Sequence, residues 1–223
     1  MIPVVVLVVA KAPVPGHAKT RLAASVGDQA AADIAAAALL DTLDAVSGAP
    51  VAARVVALTG DLGAASAGDE IRTRLADFTV VPQRGADFAE RLANAHVDAA
   101  EAAGGLPVLQ IGMDTPQVTA ELIGECGREL LAADAVLGPA RDGGWWVLGV
   151  TDAAMADCLR AIPMSRSDTG AVTLAALGDT GANVSLVPTL ADVDTVADID
   201  DVRRVCAPDS RFMRATREVS SAR

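Results

Sequence analysis

The chain has 223 residues and a formal net charge of -11. That length buries a sizeable core, in one large α/β domain or two small ones, and so acidic a chain excludes holding a nucleic-acid backbone through its overall field. Three scattered cysteines (Cys126, Cys158, Cys206) suit a reducing compartment better than a disulfide framework, and two histidines (His17, His96) support neither a zinc site nor a catalytic triad.

Residues 2–9 form an unbroken aliphatic run. It is too short for a bilayer, which needs about 20 apolar residues, and it lacks the cationic start of a signal peptide. It reads as a buried parallel strand of a cytoplasmic protein with no membrane partner. A turn-rich loop with Pro13, Pro15 and Gly16 follows, marked by Lys11, Lys19 and Arg21. Residues 30–46 read as a helix with Asp28 as its cap and Gly48-Ala-Pro50 as its stop. Strands are expected at 54–58, 78–81, 107–111, 135–137, 145–150 and 184–187. Helices are expected at 71–75, 88–103, 119–132, 157–161 and 171–177. The last helix opens at 192–198, where Thr195 and Asp198 have capping-box spacing. Beyond Pro208 the chain is polar, and a frayed tail over 208–223 is expected after a domain spanning 1–207. Strands alternating with helices predict one α/β domain with a mostly parallel sheet covered on both faces. The strands are continuous apolar runs, as covered faces require.

Five stretches carry candidate chemistry. The loop with Lys11, Lys19 and Arg21 flanks the carboxyl end of the first strand, where α/β proteins hold phosphates. It is not a P-loop: with Lys19-Thr20 aligned on the end of that motif, Pro13 and Ala18 stand where its glycines belong. The dinucleotide fingerprint G-x-G-x-x-G is absent as well. The bland alternative is a solvated loop balancing an acidic surface. Asp114, in Gly112-Met-Asp-Thr-Pro116, ends a buried strand; it either binds a metal beside phosphates or caps its turn. Asp192 and Asp194 alternate around Val193. They supply further metal ligands, or they are acids placed at a helix N-terminus. In Gly138-Pro-Ala-Arg-Asp142-Gly143-Gly144-Trp145-Trp146 the paired glycines permit close approach of a ligand. The two indoles should face opposite ways, one into the core and one into a pocket. Finally, Ser165-Arg-Ser-Asp-Thr169 binds an acceptor anion or caps a helix, capping being favoured.

Taken in order, Lys11-Ala-Pro-Val-Pro-Gly16, Lys19-Thr-Arg-Leu22, Gln83-Arg-Gly85, Gly112-Met-Asp-Thr-Pro116, Gly138-Pro-Ala-Arg-Asp-Gly-Gly144 and Asp192-Val-Asp-Thr195 resemble the nucleotide-diphospho-sugar transferase superfamily. The likeness is strongest to its glycosyltransferase-like, selenodomain-associated branch. The resemblance implies the GT-A fold, a three-layer α/β/α sandwich. It implies that Ala10, Lys11, Gly16, Lys19 and Arg21 surround the nucleotide, with Gln83 and Gly85 near the base. Asp114 would bind Mg2+ or Mn2+, with Asp194 or Asp192 as second ligand. Asp142, Gly143, Gly144, Trp145 and Ser165 would meet the acceptor. The likeness extends to guanylyltransferases of the deazaflavin-cofactor pathway, but those carry a Gly-Gly-Thr-Asn type segment where this chain has Gly143-Gly-Trp-Trp146. The glycine-rich first loop of sugar-nucleotide pyrophosphorylases is likewise replaced by Lys-Ala-Pro-Val-Pro-Gly.

Three functions follow as expectations. The first is nucleotidyl transfer from a nucleoside triphosphate to a small, phosphorylated acceptor, with Lys11, Lys19, Arg21 and Asp114 as the catalytic set. The second is glycosyl transfer from a nucleotide sugar, with Asp142 as acid or base. The third is a nucleotide-binding module without turnover. Partners would be a nucleotide and a small molecule, with no nucleic acid; a homodimer is compatible with the sequence.

Overall fold

A computed structural model describes residues 1–219. Its centre is a seven-stranded sheet. The strands are β1 (Ile2–Lys11), β2 (Val51–Thr59), β3 (Thr79–Pro82), β4 (Val108–Gly112), β5 (Ala135–Pro139), β6 (Trp145–Val150) and β7 (Val184–Leu186), in spatial order β3-β2-β1-β4-β6-β5-β7. Only β6 runs against its neighbours, pairing antiparallel with both β4 and β5. The carboxyl ends of β1, β2, β4 and β5 therefore share one edge with the start of β6. That edge is where open α/β sheets bind ligands.

Three layers result. Alternate residues of β1 explain the split: Val4, Val6, Val8 and Ala10 pack on one side, Val5, Leu7 and Val9 on the other. The first side is covered by α2 (Asp28–Gly48), α3 (Gly68–Leu75) and α5 (Ala120–Ala132). The second is covered by α4 (Phe88–Ala102), a 3-10 helix (Ala153–Ala161) and α6 (Thr169–Asp179). Helix α2 is apolar nearly all round because it is buried twice. Its outer side packs under α1 (Thr20–Val26), α7 (Val196–Arg203) and α8 (Arg211–Ala215), through Leu22, Ile199, Val202 and Phe212.

Most expected elements form within a residue or two. Thr119 caps α5, accepting from the Leu122 N–H at 3.2 Å, and Thr195 and Asp198 form the capping box of α7. Asp28 is not a cap: Gly27, at φ +86°, takes that position and Asp28 enters the first turn. The segment beyond Pro208, expected to fray, instead carries α8 as far as it is described; residues 220–223 lie outside the described part. Asp41 explains the docking, accepting from the backbone N–H groups of Arg211 (3.0 Å) and Phe212 (2.8 Å). The Arg211 guanidinium reaches Asp44 at 2.6 Å and Glu70 at 2.9 Å, and Phe212 is fully buried. Among the described residues no helix is long and apolar enough to cross a membrane.

Two predictions test this packing. Phe212→Ala should cost about 3 kcal/mol, as an emptied core site does, in denaturant unfolding; a cost near zero would contradict docking of α8. His96 is fully buried on α4, and burial pushes its pKa down to about 4, although its Nδ1 lies 3.0 Å from the Leu92 carbonyl. A depressed histidine contributes stability that is present above pH 6.5 and lost as pH falls through 4. The acid limb should therefore include roughly 3 kcal/mol from this group, and His96→Leu should flatten the stability profile over that window.

Candidate active site

The loop after β1 is built to point a lysine inward. Gly16 turns at φ +77°, and Lys19 itself sits in the left-handed region (φ 46°, ψ 51°) immediately before α1. That conformation costs a non-glycine residue about 1 kcal/mol and is typical of functional sites. Lys19 Nζ spans two carboxylates, 2.7 Å from Asp114 Oδ2 and 2.8 Å from Asp194 Oδ1. Burial alone would lower the lysine's pKa, but Asp114 and Asp194 more than offset it and hold the ammonium above its ordinary range. Arg21 adds a looser contact, 3.3 Å to Asp194 Oδ2. Lys11 Nζ donates to the His17 carbonyl at 2.8 Å, folding the loop over itself.

Asp114 leaves the end of β4, and its carbonyl accepts from the Val193 N–H at 3.1 Å. This bond anchors the segment before α7, where buried Val193 turns inward and its neighbours turn toward Asp114. Asp198 reinforces it, accepting from the Asp194 and Thr195 N–H groups at 3.1 and 2.7 Å. Asp114, Asp192 and Asp194 thus offer oxygens that all lie within 4.8 Å of one another. Burial, then Asp114 and Asp142, push the Asp192 carboxyl up to about 6. Burial would raise Asp194 too, but Lys19 and Arg21 hold it below the usual carboxylate range. Three hard oxygen donors, one of them with its charge uncompensated, fit a magnesium- or manganese-type ion.

Beside this cluster lies a cleft of about 390 Å³. It is lined by Ala10, Lys11, Gln83, Asp114, Asp192 and Asp194, and toward its far wall by Asp142, Gly144, Trp145 and Ser165. A second hollow of about 330 Å³ holds Lys19 and Arg21 and shares Lys11, Asp114 and Asp194 with the first. Gln83 ties strands together at the rim, donating to the Ala10 and Ala57 carbonyls at 2.9 and 3.0 Å. Gly16, Gly85 and Gly143 do not line either hollow.

Two of those glycines serve packing. A side chain on Gly85 would meet the Arg91 backbone nitrogen at 2.8 Å, and one on Gly143 would meet the Ser167 carbonyl at 1.9 Å. The close approach at Gly143 is therefore made by the chain's own 165–169 turn, not by a ligand. In that turn Ser165 and Ser167 do not cap α6: Asp168 holds the cap position without a side-chain bond. Thr169 Oγ1 does the ordering, accepting from the Arg166 N–H at 3.1 Å and donating to the Pro163 carbonyl at 2.9 Å. Asp142 Oδ1 accepts from the Gly144 N–H at 2.7 Å.

The tryptophans do split. The β5–β6 register jumps from Gly138↔Val147 to Pro139↔Trp145, leaving Trp146 as the extra residue of a bulge. Trp146 packs into the α2 side and donates to the Pro188 carbonyl at 2.9 Å; Trp145 packs into the α4 side. Sequence reading missed Gln110, Thr59, Phe88 and Thr115, which also line the cleft. For Gln110 a signal exists: it is a lone amide inside an apolar strand.

The profile of a bacterial family described as "Uncharacterized protein conserved in bacteria (DUF2064)" matches residues 42–166, more than half of the chain. The chain belongs to this family. A Desulfovibrio desulfuricans G20 protein described as a "putative nucleotide-diphospho-sugar transferase" is 27% identical to this DUF2064 chain with a TM-score of 0.85, over 98% of this chain and 95% of that one. A Methanothermobacter nucleotidyl transferase, Mth528, is 19% identical with a TM-score of 0.56, over 95% and 98%. Rv0371C of Mycobacterium tuberculosis, solved in complex with manganese, is 17% identical with a TM-score of 0.52, over 89% and 97%. The fold is that of the nucleotide-diphospho-sugar transferases. No curated protein matches the chain.

The ammonium of Lys19 sits on two of the three candidate metal ligands, so a bound ion would compete with it for them. Lys19→Met should raise the Mn2+ affinity of the nucleotide-free protein by about tenfold or more, since it removes a cation in contact with both carboxylates. Mn2+ titration followed by electron paramagnetic resonance reads this; weaker binding in the variant would contradict the competition.

Proposed function

We propose that this chain is a divalent-metal-dependent nucleotidyltransferase, moving a nucleotidyl group from a nucleoside triphosphate to a small acceptor and releasing pyrophosphate. One observation carries the reading: Lys19, ending the β1 loop, meets Asp114 and Asp194, and Arg21, in the first turn of α1, meets Asp194, at one crevice on the carboxyl edge of the sheet. Lys11 lines both hollows there. Such a mixed set suits a polyphosphate carrying a cation, because the lysines and arginine take phosphate oxygens while the acids take the ion. The resembled structures named above as transferases support it, and the chain is read with them as a transferase.

In this reading Lys11, Lys19 and Arg21 hold the β- and γ-phosphates. Gln83 marks the wall for the base. The acceptor enters by Asp142, Gly144, Trp145 and Ser165. An acceptor oxygen attacks the α-phosphorus, the bond from that phosphorus to the bridging oxygen breaks, and pyrophosphate leaves against the three cations. The divalent ion, held by Asp114, Asp192 and Asp194, would supply charge neutralisation at the α-phosphate. No protein nucleophile is required.

Glycosyl transfer is the second reading, favoured by the name of the Desulfovibrio relative. Asp142, at the cleft wall, is then the candidate acid or base.

A thermal-shift panel of nucleoside triphosphates and nucleotide sugars, with and without Mg2+ or Mn2+, separates these. A ligand at about 100 times its dissociation constant adds roughly 2.7 kcal/mol. Nucleotidyl transfer predicts metal-dependent stabilisation by one triphosphate, with the metal dependence lost in Asp114→Asn. A response to nucleotide sugars alone would move the assignment to glycosyl transfer. Silence toward both would contradict the phosphate site.

A further inference from the structure

Gln110 stands in the middle of β4 with 2% of its surface exposed. Its partners in register are Leu7 on β1 and Leu148 on β6. The carboxamide therefore faces the α4 layer between two leucines, and Leu92 lines the same cleft. A buried amide without a hydrogen bond costs about 1–3 kcal/mol on the scale of protein substitutions, so a strand this apolar has a physical reason to exclude it. Yet among the described residues Gln110 Oε1 has no partner, and the residue lines the cleft. Two other buried, unpartnered atoms line the same cleft: Trp145 Nε1 and Thr115 Oγ1. The bulge at Trp146 is what turns the Trp145 indole to the Gln110 side of the sheet.

We infer that this part of the cleft is the acceptor subsite, and that Gln110 and Trp145 select an acceptor bearing an uncharged hydroxyl. The inference rests on the transferase reading for the word acceptor, but not for the binding itself. A hydroxyl both donates and accepts, so it can answer an amide oxygen, an indole N–H or a threonine hydroxyl. A charged group does not suit this part of the cleft, because the register neighbours of Gln110 are leucines and a buried charge there would lack a counter-ion. The two arginines of the cleft are engaged elsewhere: Arg91 Nε donates to the Gly85 carbonyl at 3.2 Å, and Arg166 pairs with Asp168 at 3.0 Å. Gln110 lies two residues below Gly112, about 7 Å along the strand. Asp114 follows just past the end of the strand and lines the same cleft, so one small molecule in the cleft can meet both residues. Sites that hydrogen-bond a substrate hydroxyl also reject analogues lacking it more strongly than apolar pockets discriminate by size. Gln110 is on this account a specificity-determining residue.

Saturation-transfer NMR on the full chain, with glycerol, erythritol, xylitol and sorbitol as probes, tests the subsite. The wild type should bind at least one polyol, and Gln110→Met should weaken it about tenfold, the value of one hydrogen bond of about 1.4 kcal/mol. Gln110→Leu provides a second variant without the amide. Both should melt no lower than the wild type, since a buried amide oxygen without a partner is removed. No polyol binding in the wild type, or equal binding in wild type and variants, would overturn the subsite and leave Gln110 with a buried water only. Magnesium–nucleotide binding is measured separately by thermal shift. If it is absent while the polyol effect holds, the subsite stands and the transferase reading fails; if it is present while the polyol effect is absent, only the subsite fails.

Discussion

The ammonium of Lys19 between Asp114 and Asp194 is the contact on which the rest of the site depends. It joins three segments that are remote in sequence: the loop after β1, the end of β4 and the lead into α7. Without it, three carboxylates would stand within 4.8 Å of one another with Arg21 as the facing cation. The contact is also expensive to make. The lysine adopts a left-handed backbone and gives up most of its hydration, with 12% of its side chain exposed. Breaking one partner of a buried ion pair costs far more than the pair contributes. A cation is thus required at this point; Lys19 supplies it, and under the proposed function a divalent ion would be the alternative. Under the proposed function, phosphate oxygens would change the balance, because they would give the lysine another anion to meet.

The sheet explains why this charge cluster adjoins an open cleft. The parallel strands end together at one edge, and the reversed strand β6 begins there with the bulge at Trp146. The bulge turns the two indoles to opposite faces of the sheet, and both tryptophans line the cleft. Gly143 and the 165–169 turn then close the far wall by backbone contact, with the Gly170 N–H donating to the Gly143 carbonyl at 2.8 Å. A bound molecule would thus lie between a charged end, set by Lys11 and the aspartates, and a mostly apolar end, set by Leu92, Phe88 and Trp145.

Much of this was legible in the sequence, for local reasons. Continuous aliphatic runs reported strands covered on both faces, and the Gly-x-Asp-x-Pro and Asp-Val-Asp stretches reported carboxylates at chain reversals. What stayed hidden depends on distance. That Lys19 rather than Lys11 meets Asp114 follows from a left-handed residue that no propensity announces. Gly143 looked like a place for a ligand because sequence cannot tell a ligand's approach from that of residue 167. Helix α8 is only five residues long and sits in a polar stretch, and Asp41, which ties it down, lies far away in the chain. Gln110 is a single departure within an apolar strand, easily read as tolerated noise.

The most direct test is a crystal structure of the protein with Mn2+ and a nonhydrolysable nucleoside triphosphate, with the metal located by its anomalous signal. The account predicts an anomalous peak among Asp114, Asp192 and Asp194, with Lys19 Nζ withdrawn from its bridge onto a phosphate oxygen. A nucleotide bound while Lys19 still bridges Asp114 and Asp194, with the manganese elsewhere, would contradict it.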